Sequence, residues 1–190
     1  MSQLTRCGWV SDDPLYIDYH DHEWGRPQHD GRALFELLCL EGQQAGLSWI
    51  TVLKKRANYQ RQFHQFDPQK MAAMTEQDVE RLLQDAGLIR HRGKILALIG
   101  NAQIYLAMQA EGVDFAEWLW SFVDGKTVVN QWQDYRTAPS STPASDAMSK
   151  ALKKRGFKFV GSTICYAFMQ AAGMVNDHTT DCFCYSVSQE

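Results

Sequence analysis

The chain contains no window of eighteen apolar residues, which leaves no segment able to cross a bilayer as a helix. Its first residues, MSQLTRCGWV, lack the apolar centre of a secretory signal. The expected compartment is therefore the reducing cytoplasm, with no membrane partner. Neither sign of charge prevails. Lysine and arginine total 19 against 22 aspartate and glutamate, a net charge of −3. That argues against a protein coated in positive charge that packs nucleic acid in bulk, and leaves room for a local basic patch. The five cysteines are odd in number. In a reducing compartment they are expected to be free, buried or metal-bound rather than paired in disulfides. Strand signals are nearly missing, KTVVNQW being the one convincing piece, and neither an internal repeat nor a low-complexity tract occurs.

What is present is helical. A length of 190 residues, 45% of them hydrophobic, suits one compact domain with a real core, spanning 1–190. DGRALFELLCLEG starts at Asp30 as N-cap and carries Leu34, Leu37 and Leu38 on one face, with Glu36 expected to face water. SWITVLKKRANYQRQFHQF starts at Ser48 and is closed by Pro68. TEQDVERLLQDAG places Thr75 and Asp78 in capping-box spacing, with Gly87 as its stop. GKILALIGNAQIYLAMQAEG, DFAEWLWSFV, SDAMSKALKKRG and STICYAFMQAAG supply four more helices. RTAPSSTPAS reads as a surface loop. The fold class is all-α, with an irregular, aromatic-rich N-terminal stretch of about forty residues that needs an additional staple.

A candidate staple is written at both ends. Cys7 is followed thirteen residues later by His20, and the tail carries His178-x-x-x-Cys182. Two cysteines and two histidines make a closed tetrahedral zinc site with no position for substrate. Such an ion would tie together two termini that otherwise fray. The bland alternative is a scatter of ordinary residues; His22 and Cys184 are alternative ligands, and Cys39 and Cys165 fall inside apolar helical patterns as core residues.

Glu41 follows Leu37-Leu38-Cys39-Leu40 and precedes Gly42-Gln43-Gln44, which break the helix before Trp49 opens the next. It is either a solvated residue at a helix end or a carboxylate at the mouth of an apolar pocket facing an indole. Burial would raise its pKa and a cationic ligand would lower it again. Trp9, Tyr16, Tyr19 and Trp24 lie in the N-terminal segment. Singly each ring reads as core; as a set beside Glu41 and Trp49 they could stack a planar base, worth about 1–3 kcal/mol. Further on, SKALKKRGFKFVGSTICYAFMQ joins two helices through GFKFVG. Gly156 and Gly161 allow a tight turn, the second helix begins near Gly161–Ser162 with free N–H groups, and Lys153, Lys154, Arg155 and Lys158 gather charge. That is the logic of a grip on a DNA phosphate without sequence reading, or else an ordinary turn beside a solvated basic face.

Together, RCGWV, DPLYIDYHDHEWG, LCLEGQQAGLSWITVLKKR, DAGLIRHRGKI, SKALKKRGFKFVGSTICYAFMQAAGMVNDH and DCFC closely resemble the DNA-3-methyladenine glycosylase I family of the helix-hairpin-helix glycosylase superfamily. The likeness runs from Cys7 to about Cys184 and weakens in AEGVDFAEW and in DGKTVVNQWQDYRTAPSSTPAS. It implies a helix-hairpin-helix glycosylase fold and one structural zinc ion per chain on Cys7, His20, His178 and Cys182. It also implies a base pocket on Glu41, Tyr19 and Trp49 with Trp9, Tyr16 and Trp24 close by, Glu41 being the expected catalytic residue, for selecting the cationic base or for positioning water and stabilising the sugar cation. The implied partner is alkylated double-stranded DNA, held by Lys154, Gly156, Lys158, Gly161 and Ser162. The turn Gln43–Leu47, with Gln44 and Leu47, would be the wedge that fills the gap left by a flipped nucleotide. The implied reaction is a base-excision repair step that releases free 3-methyladenine, and to a lesser degree 3-methylguanine. GFKFVG departs from the superfamily's commoner Leu-Pro-Gly-Val-Gly, and Asp177, beside His178, is expected to be structural. With no lysine nucleophile at the hairpin, a monofunctional hydrolase that leaves an abasic site is expected, acting as a monomer. The rival is a non-enzymatic zinc-stapled helical module that binds DNA or a protein.

Overall fold

In the computed structural model, which describes residues 4–187, the central element is α2 (Gly31–Gln43). Asp30 caps it, its carboxylate accepting from the Ala33 N–H at 2.9 Å. Every residue from Leu38 to Gln43 is buried. The helix packs on α3 (Trp49–Gln62), α6 (Arg92–Ala110), α7 (Phe115–Trp120) and α9 (Ser162–Ala171), so its C-terminal half ends inside the molecule. Close packing there depends on Gly42: a Cβ at that position would stand 3.0 Å from the Phe159 carbonyl oxygen, in the turn between α8 (Pro143–Arg155) and α9. The apolar pattern of the sequence is realised as one large core that includes Phe35, Leu38, Val52, Tyr59, Ile95, Leu98, Leu152 and Phe168. Among the described residues no helix is long and apolar enough to cross a membrane.

Most of the expected helices form, and the departures have local causes. The N-terminal stretch is less irregular than expected. Asp13 caps α1 (Pro14–His22), with proline in its first turn, and α1 packs on α3. Gly42 and Gln43 do not break α2; the helix runs through both because neighbouring elements enclose its last turn. Glu36 is half-buried rather than facing water, its Oε1 accepting from Gln60 at 3.3 Å. Pro68 does not close α3, which ends at Gln62 before a 3-10 turn; it opens α4 (Pro68–Ala72), where its fixed φ and missing N–H cost nothing. The capping box of Thr75 and Asp78 starts α5 (Glu76–Leu82) as expected, but Gly87 lies beyond its end. The capping box that starts α8 is Thr142 with Ser145, so that helix begins inside the segment read as a loop. The strand-like segment contributes only β1 (Val128–Val129), which pairs in parallel with β2 (Val175–Asn176), too short to stand out in the sequence. A last short helix, α10, covers Cys184–Val187.

The segment after α1 is docked on the end of α9. The Gly25 N–H donates to the Ala171 carbonyl at 3.2 Å and the Gln28 N–H to that of Ala172 at 2.9 Å. Gly173 makes this approach possible: its φ is +75°, and a Cβ there would meet the Pro27 nitrogen at 2.4 Å and the Arg26 carbonyl carbon at 2.5 Å. Both obstacles are backbone and cannot rotate away. Gly173→Ala is therefore expected to destabilise the fold by about 3 kcal/mol, read as a lower urea midpoint. An unchanged midpoint would show that the docking is not tight.

Candidate functional site

Two assemblies lie side by side where the N-terminal segment meets the tail. In the first, α1 supplies His20, the preceding loop Cys7, and the chain beyond β2 supplies His178 and Cys182. All four are buried, and one ligand atom from each lies within 4.8 Å of the others. Cys7 Sγ is 3.3 Å from His178 Nδ1, and Cys182 Sγ is 3.5 Å from His20 Nε2 and 3.6 Å from His178 Nδ1. The second ring nitrogens are also held: His20 Nδ1 faces Asp21 Oδ1 at 2.8 Å and His178 Nε2 faces the Trp24 carbonyl at 3.1 Å. Asp21 in turn accepts from Arg6 at 2.8 Å. The Cys182 thiol is pulled down by its hydrogen bonds to Cys7, His178 and His20, so a thiolate is favoured at the centre of the group. Of the alternative ligands, His22 is exposed and faces Asp18, whereas Cys184 lies beside the set, its N–H donating to Cys182 Sγ at 3.4 Å and its thiol grouping with His20 and Asp21. Cys39 and Cys165 are core residues, as expected.

The second assembly is a cavity of about 210 Å³. Trp9, Tyr16, Tyr19, Trp24 and Trp49 line it, with Glu41 and Gln44 from the end of α2. Tyr19 and Trp49 stand 5.5 Å apart, and Trp9 sits 5.1 Å from Tyr16 and 5.0 Å from Trp24, so the rings brace one another. Glu41 is 3% exposed. Its carboxyl is pushed up to about 8 by burial, so it carries a proton at neutral pH. Burial raises the Tyr19 hydroxyl as well, and the Glu41 charge adds to that. Among the described residues, Glu41 Oε2, Gln44 Oε1 and Trp49 Nε1 are the buried side-chain atoms without a hydrogen-bond partner, and all three residues line this one cavity. A buried polar atom left unpaired costs about 1–3 kcal/mol. Three in one ring-lined space describe a receptor for a flat, polar molecule that offers donors to two acceptors and accepts from one indole.

Part of the wall has no signal in the sequence. Gln44, read as part of a wedge, lines the cavity, whereas Leu47 is exposed at the tip of the turn. Tyr135 and Ala138 reach the cavity from the loop ahead of α8, a segment without periodicity to mark it. Gln170 and Asp177 also line it. Asp177 accepts from Asn130 at 2.7 Å, Trp132 at 2.8 Å, Tyr166 at 2.5 Å and Gln170 at 2.9 Å, so its oxygens are satisfied.

The turn between α8 and α9 lies against the closed end of α2. Gly156 ends α8 with φ +101°, and Lys154 and Lys158 are exposed. Asn101 clamps the turn, accepting from the Lys158 N–H at 3.0 Å and donating to its carbonyl at 3.3 Å. The Ser162 hydroxyl is committed to Asp146 and Ser145. Gly161 is the N-cap of α9 and no side chain caps that helix, so what the start of α9 offers an anion is main-chain N–H groups.

A family model described as methyladenine glycosylase matches residues 9–185. The chain is 66% identical over 182 residues to DNA-3-methyladenine glycosylase 1 of Escherichia coli K12, a match that covers 96% of this chain and 97% of that protein. It is 58% identical over 180 residues to a DNA-3-methyladenine glycosylase of Haemophilus influenzae, covering 95% and 97%. A crystal structure of 3-methyladenine DNA glycosylase I superposes with a TM-score of 0.94 at 67% identity, over 95% of this chain and 100% of that one. A variant of 3-methyladenine DNA glycosylase I in complex with 3-methyladenine superposes with a TM-score of 0.90 at 41% identity, over 97% of each.

Glu41 lies within the matched span, and its burial has a measurable consequence. A carboxyl with its folded pKa raised holds its proton while the unfolded chain has already lost it. The stability it supports is complete below the ordinary carboxylate pKa and is lost as pH rises towards about 8. Relative to Glu41→Gln, the wild type should lose up to about 1.4 kcal/mol per pH unit across that window. A constant difference between the two proteins from pH 5 to pH 9 would show that the carboxyl is solvated.

Proposed function

The chain belongs to the methyladenine glycosylase family, and on that footing we propose that it hydrolyses the N-glycosidic bond of 3-methyladenine in alkylated double-stranded DNA. The products are free 3-methyladenine and an abasic site, with the strand left uncut. One observation carries this reading: the unpaired atoms of Glu41, Gln44 and Trp49 converge in a single cavity walled by aromatic rings. An adenine edge presents an amine with two N–H donors beside an accepting ring nitrogen. Two acceptors and one donor complement that edge, and Tyr19 and Trp49 offer faces for stacking.

Methylation at N3 leaves the base in DNA cationic. When the bond from the base nitrogen to C1′ breaks, the electron pair goes to the base, which departs neutral. The oxygen of a water bonds to C1′ and its proton leaves to solvent. Little chemical force is required, so the work is to flip the lesion, which costs a few kcal/mol, and to hold it. Glu41 supplies the selection. Protonated in the free protein, it ionises against a cationic base and accepts from the amine. Ordinary adenine brings no charge to offset ionising a buried carboxyl and is disfavoured. Leu47, exposed at the tip of the turn beside the cavity, fills the space vacated in the duplex. Lys154, Lys158 and the main chain at Gly156, Gly161 and Ser162 grip a backbone phosphate in the manner of a helix-hairpin-helix element.

Cys7, His20, His178 and Cys182 would hold one structural zinc ion. With bonds of about 2.3 Å to sulfur and 2.0–2.1 Å to nitrogen, a tetrahedral ion would separate a sulfur from a nitrogen ligand by roughly 3.5 Å. The spacings of 3.3–3.6 Å suit that geometry, and the held second nitrogens fix both ring orientations. Four protein ligands would leave no place for substrate, so the ion would serve to tie the N-terminal segment to the tail beneath the aromatic wall.

Incubation with methylated duplex DNA should release 3-methyladenine and leave alkali-labile sites; no release at any protein concentration would reject the activity. Elemental analysis should find one zinc per chain. Cys7→Ser and His178→Ala should each lose it, with a fall in stability of several kcal/mol. Stoichiometric zinc in both variants would reject the assignment.

A further inference from the structure

Lys94 is 5% exposed, close to the start of α6, where a lysine would ordinarily reach solvent. Its ammonium turns inward and donates to the Gln43 carbonyl at 2.9 Å and to the Ala45 carbonyl at 2.6 Å. These carbonyls belong to the residues immediately before and after Gln44. The contact is returned, since Gln43 Nε2 donates to the Lys94 carbonyl at 3.1 Å. Gln43, itself 1% exposed, also accepts from the Tyr59 hydroxyl at 2.9 Å, and that hydroxyl accepts from the Ile89 N–H at 3.2 Å. A buried network therefore runs from α6 and the loop ahead of it to the last residue of α2.

A lone ammonium between two carbonyls with no carboxylate beside it is a poor stabilising device, because burying the charge costs about what the hydrogen bonds return. Its geometric effect is specific. A helix that ends inside a protein leaves its last carbonyls to be satisfied, and here one cation ties the carbonyls of the two neighbours of a single residue. That residue is Gln44, whose Oε1 is buried in the cavity without a partner. Lys94 does not act by tuning Glu41, whose raised pKa has burial as its one cause.

We propose that Lys94 is a positioning residue for base recognition: by pinning the carbonyls of the residues before and after Gln44, it holds the turn so that this side chain is aimed into the cavity as an acceptor for the base. The inference rests on the proposed function and adds a residue that touches neither base nor DNA. Lys94→Met keeps an unbranched side chain out to the ε position and removes the ammonium donors. It should weaken binding of free 3-methyladenine, followed by tryptophan fluorescence, by about tenfold, the equivalent of one lost hydrogen bond. Gln44→Ala should cost a similar factor. The double variant should bind no worse than the weaker single one, since both changes remove one interaction. Lys94→Arg, which still has donors for both carbonyls, should restore most of the affinity, whereas a lysine that only supports the fold would show no coupling to Gln44. If Lys94→Met does not fold, Lys94→Gln, which is too short to hold both carbonyls, serves in the same cycle. Wild-type affinity in the Lys94 variant, or losses that multiply in the double variant, would overturn the inference and leave the glycosylase reading standing. A wild-type protein that binds no 3-methyladenine would overturn both.

Discussion

A carboxyl group that is buried and unpaired is the constraint around which this protein is arranged. Glu41 sits in the last turn of a helix driven into the interior, with one oxygen lacking a partner. A protein selected for stability alone would have paired that oxygen or replaced the residue, since desolvating a polar group without a hydrogen bond is unfavourable. The fold keeps the group dry instead. The Phe159 backbone closes on Gly42, the Lys94 ammonium holds the turn that follows, and rings from the N-terminal segment roof the space. The result is a carboxyl whose charge state answers to what enters the cavity, which is the property a receptor for a cationic base requires.

The roof shows how a small helical protein makes a wall from segments with little regular structure. Trp9, Tyr16 and Trp24 come from a loop, a nine-residue helix and its exit. Their positions are set from below by the packed cysteine and histidine cluster, by docking of residues 25–28 on the end of α9, and by ring-on-ring contact. Asp177 extends the same support. Saturated by four donors, it ties the loop carrying Trp132 and the helix carrying Tyr166 and Gln170 to the chain next to His178. A cavity built in this way has a firm floor in α2 and a roof held by buried polar contacts.

Much of this was legible in the chain. Capping residues announced helix starts at Asp30, Ser48 and Thr75, and apolar spacing announced the faces that form the core. The six motifs with their family resemblance pointed to Glu41, Tyr19, Trp49 and the four-residue cluster, and the structure brings these groups together. Helix ends were read less well. Gly42 and Gly87 predict helix stops, yet one lies inside a helix and the other beyond one. A glycine can serve close packing as readily as it serves a turn. Tyr135 carried no signal, because a loop has no period, and Lys94, although inside DAGLIRHRGKI, reads as solvent-facing until its neighbours are known.

The sequence by itself determined which residue types are available and where local structure begins: the caps, the amphipathic faces, two half-sets of metal-ligand residues and an acid next to an indole. These follow from interactions over a few positions of chain, which spacing records. The tertiary structure alone decided that Glu41 is buried rather than solvated, that His20 and not His22 joins Cys7, and that Gln44 turns into the cavity while Leu47 turns out. Each of those outcomes depends on groups far apart in sequence. Burial and unmet hydrogen bonds are properties of the packed neighbourhood, which no local pattern contains.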